Sequence, residues 1–387
     1  MEGLDRAAGG QSTQQVAFRL VFDRAVTPYA GPSMCYPGDA DWRENLAPNV
    51  TRKRSCRRSD CASESPPNRE GPLLMKIVVY GPFKRTGALC DSSVVDLSYG
   101  YAKYLQERTD ELNPLEMADV LVPSELTRLI EGGSRTLDAV QTTLDYLFGQ
   151  AQDQFGPRGE TLVHQAADVR LHAPRPNNAR IACAGGNFAD HAAAMAVKMR
   201  GRSYEGDPYQ EIRNAGFWGF WKLGREIVGP DGELMYPDRC NRLDYEGEIA
   251  IVLGKRGVDL RPSQLKDYVW GVTMLADWSI RAPRETPGGP LNFNFPKNFD
   301  TSCSMGPCIA VGEADPTNID METLVNGECR QRFNTRDMVF TFGNISNICR
   351  ATSRFIQATS SAVGRRQEQL RIRVNCCRTR PPHQGAS

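Results

Sequence analysis

The sequence has 387 residues, which is enough for one large domain or two of ordinary size. Its 47 lysines and arginines nearly balance its 46 aspartates and glutamates, so the formal net charge of +1 gives no electrostatic footprint for a nucleic-acid or anionic-membrane partner. No apolar run approaches the length of a membrane span, and no basic-then-apolar signal peptide opens the sequence.

The cysteine and histidine counts limit the metal chemistry. Twelve cysteines are scattered without a repeated framework, and none of the close pairs has a zinc spacing with a matching second half. Reduced thiols in a cytoplasmic protein are therefore the expectation. The chain has only four histidines, which argues against a histidine-rich metal site.

Residues 1–74 form a segment rich in Gly, Ser, Pro, Arg and Asn, with little apolar periodicity. The basic run from Arg52 to Arg58 is typical of a nuclear signal or an RNA contact, but we favour a solvated, disordered tail. A spurious upstream start is the alternative for the whole segment, and Met75 would then be the initiator. The first domain is expected to begin at this methionine.

Residues 75–157 predict a small α/β domain. Short runs rich in β-branched and other apolar residues predict strands at Met75–Gly81 and Ser93–Leu97. Apolar residues at helical spacing predict a helix over Thr136–Gln150. The function of this domain cannot be read from its residues.

A glycine turn follows the next predicted strand, which begins at Ile181. The chain passes through Gly185 and Gly186 into an alanine-rich helix, with Asn187 or Asp190 as the expected cap. His191 falls in the first helical turn, where the helix dipole favours a neutral imidazole that can accept a proton. This position supports a structural histidine and a general base about equally.

The most informative stretch is a predicted strand that begins at Asp244 and ends at Lys255. Because side chains alternate between the faces of a strand, Asp244, Glu246 and Glu248 share one face. This pattern alone favours an edge strand with one wet face. The alternative is a hard-cation site, since Mg²⁺, Mn²⁺ and Ca²⁺ prefer carboxylate oxygens. Asp277 ends the next predicted strand, a typical place for a ligand.

Taken in order, these signatures resemble the fumarylacetoacetate hydrolase family over residues 75–355. The matching motifs are Gly186-Asn187-Phe188-Ala189-Asp190-His191, Asp244-Tyr245-Glu246-Gly247-Glu248, Asp277-Trp278-Ser279 with Arg281, Lys297-Asn298-Phe299-Asp300-Thr301, Met305-Gly306-Pro307, and Asn326-Gly327-Glu328 with Gln331, Asn334-Thr335 and Asp337-Met338. The resemblance implies an α+β, mostly β fold: a mixed β-roll catalytic core at residues 177–355 after the small N-terminal α/β domain. It also implies a homodimer.

The resemblance further implies a metal site and two catalytic side chains. Glu246, Glu248 and Asp277 match the family's ligands for Mg²⁺, with Mn²⁺ or Ca²⁺ as alternatives. His191 matches the general base and Lys297 the active-site lysine. A structural role for Lys297, which lowers the negative charge among three carboxylates, is the alternative.

The implied substrate is a small 2-oxo or 1,3-dioxo acid, bound with the help of Arg281, Gln331 and Thr335. The implied reaction is hydrolysis of a C–C bond in an acylpyruvate or 1,3-diketo acid. In it the metal chelates the substrate oxygens, His191 activates water and Lys297 stabilises the enolate. A 2-oxo acid decarboxylase, a dehydratase or another lyase on the same site is the alternative.

Three departures from the family pattern bear on that reaction. The position three after His191, often Glu in acylpyruvate hydrolases, is Ala194, which favours enolate chemistry with less need of activated water. The family's Arg-Asp-x-Gln is replaced by the run 281–284, Arg-Ala-Pro-Arg. Residues 356–387 read as a basic tail in place of the closing strand and Thr-Gly-Thr-Pro loop. We favour a frameshift or alternative splicing as the cause, and a functional basic tail is the alternative. A catalytically impaired member that keeps its metal site for folding or partner binding is the rival hypothesis.

Overall fold

The computed structural model describes residues 4–5, 13–22, 74–201, 203–223, 227–237, 240–257, 260–283, 294–312, 315–348, 355–360 and 371–374. All of them belong to one unit of the chain, and a second unit, 24–72 with 378–387, lies outside the described residues. Most of the predicted extension at 1–74 and most of the predicted tail at 356–387 therefore lie outside the description. The domain boundaries stay predictions.

Strands dominate the described residues. The strands are β1 (Leu4–Asp5), β2 (Thr13–Phe22), β3 (Met75–Tyr80), β4 (Arg85–Cys90), β5 (Ser93–Asp96), β6 (Val163–Gln165), β7 (Leu171–His172), β8 (Arg180–Ala184), β9 (Gly219–Lys222), β10 (Ile227–Val228), β11 (Glu233–Leu234), β12 (Cys240–Asp244), β13 (Gly247–Leu253), β14 (Val269–Asp277), β15 (Ser279–Pro283), β16 (Cys303–Met305), β17 (Ile309–Val311), β18 (Ile319–Val325), β19 (Glu328–Asn334), β20 (Phe355–Ser360) and β21 (Arg371–Val374). The helices are α1 (Leu97–Arg108), α2 (Pro114–Leu121), α3 (Leu126–Glu131), α4 (Gly133–Gly149), α5 (Ala189–Arg200), α6 (Pro208–Ala215), α7 (Asn294–Lys297) and α8 (Phe342–Ile348). The predicted α+β, mostly β fold class is confirmed.

The largest sheet has 13 strands and carries the predicted metal residues near its centre. Its main path runs β6-β5-β4-β3-β17-β14-β13-β20-β8-β9. β13 pairs antiparallel with β14 on one side and with β20 on the other, and all seven of its residues are buried. The edge-strand interpretation of this stretch is therefore wrong, because both edges of β13 are paired.

The predicted strand beginning at Asp244 is in fact two strands. The chain leaves β12 after Asp244 and resumes as β13 at Gly247, so that Glu246 lies in the connection. β12 pairs with β15 in a three-stranded sheet, whereas β13 belongs to the large sheet. The break thus leaves Glu246 outside both strands, whereas Glu248 lies within β13.

Strands β3, β4 and β5 of the predicted N-terminal domain belong to the large sheet. β3 pairs with β17 of the core, with Ile77 opposite Ile309, and with β4 on its other side. Helices α1 to α4 contribute to the same hydrophobic cluster as these strands. The strand predicted at Met75–Gly81 is confirmed as β3, and the predicted helix over Thr136–Gln150 is part of α4.

One buried carboxylate ties this N-terminal region together. Asp96, which is 1% exposed, accepts hydrogen bonds from Tyr80 Oη at 2.6 Å and from Arg85 Nε at 2.5 Å and Nη2 at 2.9 Å. It also caps α1 by accepting from the Tyr99 backbone N–H at 2.9 Å. One side chain therefore joins β3, β4, β5 and the start of α1.

A five-stranded sheet with the order β11-β21-β2-β18-β19 completes the strand arrangement. Its β18–β19 hairpin turns at Asn326-Gly327, both with positive φ, as the Asn-Gly signal predicts. No helix among the described residues is long and apolar enough to cross a membrane.

Candidate active site

The three predicted metal ligands come together where β13 and β14 pair. Gly247 lies opposite Ala276, and the backbone N–H of Asp277 donates to the carbonyl of Glu246 at 2.8 Å. Glu246 is 3% exposed, while Glu248 and Asp277 are fully buried. Burying three carboxylates together requires cations or protons among them.

Two lysines meet the carboxylate of Asp277. Lys297, the last residue of α7, donates to Asp277 Oδ2 at 2.6 Å and also to Glu246 Oε2. Lys222, the last residue of β9, has Nζ 2.5 Å from Asp277 Oδ1. That contact is an ion pair without hydrogen-bond geometry. Lys222 Nζ donates hydrogen bonds to the carbonyls of Lys297 and Ser302, the latter at 2.9 Å.

Arg281 on β15 supplies the third cation. Its Nε donates to Asp244 Oδ2 at 2.7 Å, and its Nη2 donates to Glu246 Oε1. Its side chain is 20% exposed. The residue predicted to bind substrate therefore bridges two carboxylates. The charged cluster comprises Asp244, Glu246, Glu248, Asp277, Lys222, Arg281 and Lys297.

Within the charged cluster, three cations face four carboxylates, and Glu248 is the carboxylate left over. Both of its oxygens are buried without a hydrogen-bond partner among the described residues. Burial, reinforced by the charge of Asp277, raises the pKa of Glu248 well above its usual value. A carboxylate in such a place is neutralised by a proton or by a bound cation.

The other charges stabilise one another as ions. Burial opposes ionisation of Glu246, but Arg281 and Lys297 more than offset it, so the pKa of Glu246 lies below its usual range. Burial alone would lower the pKa of Lys297, but Asp277 and Glu246 raise it above the usual lysine range. Lys297 is therefore a permanent cation at neutral pH.

The donor set fits a divalent cation. Donor atoms of Cys183, Glu248 and Asp277 all lie within 4.8 Å of one another, and all three residues are buried. Carboxylate oxygens suit Mg²⁺, Mn²⁺ and Ca²⁺, and the Glu248 oxygens, to which no described residue donates, are available to such an ion. Glu246, the third ligand predicted, is bound to Arg281 and Lys297 instead. Its role as a ligand stays a prediction.

His191 lies in the first turn of α5, as predicted, and is 7% exposed. After Arg281 and Lys297, it is a further group that lowers the pKa of Glu246. Its role as a general base is not tested by this geometry and stays a prediction.

The predicted caps of α5 are wrong. Phe188 takes the cap position, and Asn187 exchanges two hydrogen bonds with the backbone of Phe340, at 2.7 and 2.8 Å. The Asn187 carbonyl also accepts from Val339 N–H at 2.9 Å. Asn187 therefore anchors the turn before His191 to a distant segment instead of capping the helix.

Gln331 and Thr335, predicted to bind substrate, make buried contacts with the backbone. Gln331 Oε1 accepts from Gly247 N–H at 3.0 Å and its Nε2 donates to Gly247 O at 2.8 Å. Thr335 Oγ1 accepts from Ile319 N–H at 2.9 Å. Gln331 thus fixes the residue between the two glutamates, and substrate contact for both side chains stays a prediction.

Lys222 and Cys183 are the members of this region that sequence reasoning missed. α6 lies in the segment before Lys222, and β9 begins at Gly219. The sequence signal for Lys222 is its position directly after the aromatic run 217–221. Lysine is rarely buried unless its charge is paired, so a buried lysine at this position needs a carboxylate partner.

Residues 180–357 match the family model described as fumarylacetoacetate (FAA) hydrolase C-terminal. This part of the chain belongs to the fumarylacetoacetate hydrolase family. The resemblance inferred from the motifs is thereby confirmed.

Similar proteins include enzymes of several reaction types. Oxaloacetate tautomerase FAHD2A, mitochondrial, from Homo sapiens is 30% identical over 228 residues, 58% of this chain and 64% of that protein. Its Xenopus laevis counterpart fahd2 is 28% identical over the same share of this chain and 63% of its own length. The match thus spans less than two thirds of either relative. Both are named as mitochondrial, so a cytoplasmic location stays a prediction.

A solved structure shows the same fold. Maleylpyruvate hydrolase from Sphingobium sp. SYK-6, in complex with manganese(II) ion and pyruvate, has a TM-score of 0.51 at 21% identity. The match covers 75% of this chain and 89% of that one. At this identity the likeness supports the fold alone.

Proposed function

We propose that the chain is a divalent-metal-dependent enzyme that hydrolyses a C–C bond in an acylpyruvate or 1,3-diketo acid. The observation that carries the proposal is the buried carboxylate of Glu248 beside Asp277, which has no hydrogen-bond partner among the described residues, in a cluster whose other carboxylates have cationic partners. Glu248, Asp277 and Glu246 would hold the ion. Mg²⁺, Mn²⁺ or Ca²⁺ there would polarise two chelating substrate oxygens.

The chain's own residues divide the remaining work. Lys297 is a fixed, buried cation, and it stabilises the negative charge that develops on an enolate when the C–C bond breaks. His191, held at the start of α5, takes a proton from the attacking water. Burial of both side chains strengthens these interactions by excluding bulk water.

A second candidate is keto–enol tautomerisation of a 2-oxo acid, which the residue at 194 favours. Ala194 is exposed and offers no carboxylate to orient His191 towards water. Tautomerisation consumes no water, because a proton leaves the carbon next to the carbonyl and another is delivered to the oxygen. His191 and Lys297 serve that transfer as they would serve hydrolysis. The tautomerase relatives support this candidate.

The test uses the full chain with Mn²⁺ or Mg²⁺. Loss of acylpyruvate enol absorbance with release of pyruvate reports hydrolysis, accelerated keto–enol exchange of oxaloacetate reports tautomerisation, and carbon dioxide release reports the lyase alternative. Glu246→Gln and Glu248→Gln are expected to lose most metal affinity by calorimetry, while Glu233→Gln, on exposed surface, keeps it. Full affinity in both cluster variants would overturn the metal site. Metal binding without any turnover would favour the impaired-member hypothesis.

A further inference from the structure

Alternate residues along β9 and its approach lead towards the charged cluster. Trp218, Phe220 and Lys222 are two residues apart, so they share one side of the strand. Trp218 is 45% exposed, Phe220 is half-buried and Lys222 is 3% exposed. The side chain of Lys222 forms an ion pair with Asp277. This side of the strand therefore runs from solvent, over two aromatic rings, to the charged cluster.

The indole of Trp218 has a fixed position beside the glycine turn. A Cβ on Gly185 would lie 2.2 Å from the Trp218 ring, so glycine is required for this close approach. Gly185 N–H also donates to the Trp218 carbonyl at 3.0 Å. The same turn leads into α5, the helix that carries His191, so the indole packs against the turn that precedes the predicted base.

Phe220 lies between the Trp218 indole and the charged cluster. Its ring centroid is 5.0 Å from Lys297 Nζ and 6.5 Å from that of Trp218. Two residues of extended strand span about 6.6 Å, in accord with the ring separation. A molecule whose oxygens meet Lys297 therefore finds Phe220 first and reaches Trp218 only if its other end extends further.

We infer that Trp218 and Phe220 bind the acyl end of the substrate, so the preferred substrate is an acylpyruvate with an aromatic or bulky apolar acyl group. This rests on the proposed function and names its substrate class. Aromatic faces attract apolar and aromatic groups and repel anions, since the face of the ring is the negative part of its quadrupole. An aroylpyruvate suits this arrangement, and a second carboxylate at the acyl end does not.

Trp221 offers a matched control. It is the same residue type on the same strand, is 44% exposed, and lies on the opposite side of β9. The comparison is kcat/KM for benzoylpyruvate and for acetylpyruvate, measured on the metal-loaded full chain. The wild type is expected to prefer benzoylpyruvate. Trp218→Ala is expected to lose about tenfold in kcat/KM for benzoylpyruvate, and less than about twofold for acetylpyruvate.

The variants separate substrate binding from support of the turn. Trp218→Phe keeps an aromatic face and is expected to restore most of the preference, and Trp221→Ala leaves both substrates unaffected. Equal losses on both substrates in Trp218→Ala would overturn the inference, because they would mean that the indole only supports the glycine turn. An effect of Trp221→Ala equal to that of Trp218→Ala would overturn it too.

Binding of two non-cleavable acids separates this inference from the proposed reaction. With Mn²⁺ bound, calorimetry should show tighter binding of phenylpyruvate than of pyruvate, and Trp218→Ala should abolish the difference. Preferential binding without turnover of any acylpyruvate would refute the reaction and support the inference. Turnover without preference would refute the inference alone, and binding of neither acid would refute both.

Discussion

Replacing Lys222 by methionine tests how the charged cluster is held together. The variant keeps an apolar stem of similar length and removes one charge. It deletes the ion pair of Lys222 with Asp277 Oδ1 at 2.5 Å, and the donors to the carbonyls of Lys297 and Ser302. Because one of these carbonyls belongs to Lys297, the change also loosens the residue predicted to stabilise the enolate.

The expected cost follows from burial. Both side chains of the Lys222–Asp277 pair are fully buried, and removing one partner of a buried pair costs about 3–5 kcal/mol. Lys297 still compensates Asp277 through Oδ2, which reduces this loss. Each buried carbonyl left without its donor adds about 1–3 kcal/mol. We expect the free energy of unfolding to fall by about 4 kcal/mol, a large share of the roughly 5–15 kcal/mol of a typical domain.

Urea denaturation measures this loss, with a chelator present so that a bound cation does not add to stability. Lys266→Met, at an exposed position, is the control and should change stability by less than about 0.5 kcal/mol. In the Asp277→Asn background the Lys222 change should cost about 2 kcal/mol less, because the charge it neutralises has gone. A loss below about 1 kcal/mol, or full additivity of the two substitutions, would refute the reasoning.

Four further perturbations have defined outcomes. His191→Ala should abolish turnover while metal titration shows the ion still bound, and retained activity would sink the base assignment. Gly247→Ala should lower the free energy of unfolding by about 1–3 kcal/mol in urea, because the added Cβ would lie 2.1 Å from Thr323 Oγ1; an unchanged midpoint would contradict this. Asp96→Asn should cost about 3 kcal/mol in the same assay, since it breaks the bidentate pair with its arginine, and a neutral result would show that the pair contributes nothing. Burial, and then Asp96, raise the pKa of Tyr80, so the folded state favours the neutral phenol; stability should fall as pH rises above about 10, and Tyr80→Phe should make that fall smaller.

Local patterns in the sequence predicted the elements that their own residues determine. The Asn326-Gly327 hairpin, strand β3 and the helix that carries His191 all follow from residues within a few positions. Turn chemistry and periodicity act over that range. The motif order identified the family because the motifs are short and local as well.

Contacts between distant segments were not predictable in this way. Strand β13 is central because β20, from residues 355–360, pairs with it. The apolar pattern of β13 itself does not predict this pairing. The interruption at Glu246 reflects a change of sheet partner. The Lys222 contact to the Lys297 backbone joins residues 75 positions apart. Asn187 was expected to cap α5, but its side chain instead bonds to the backbone of Phe340, 153 positions away.

The charged cluster explains why its chemistry and the fold depend on each other. Its three cations come from β9, β15 and α7, while its carboxylates come from β12, β13, β14 and the connection before β13. None of these elements can bury its charge alone, because an isolated buried charge is costly. Assembly of the sheets therefore creates the cation–carboxylate pairs and, in the same step, buries Glu248 without a hydrogen-bond partner in the described part of the chain. A variant that removes one cation should consequently weaken folding, whereas a variant of Glu248 should affect metal affinity far more than stability.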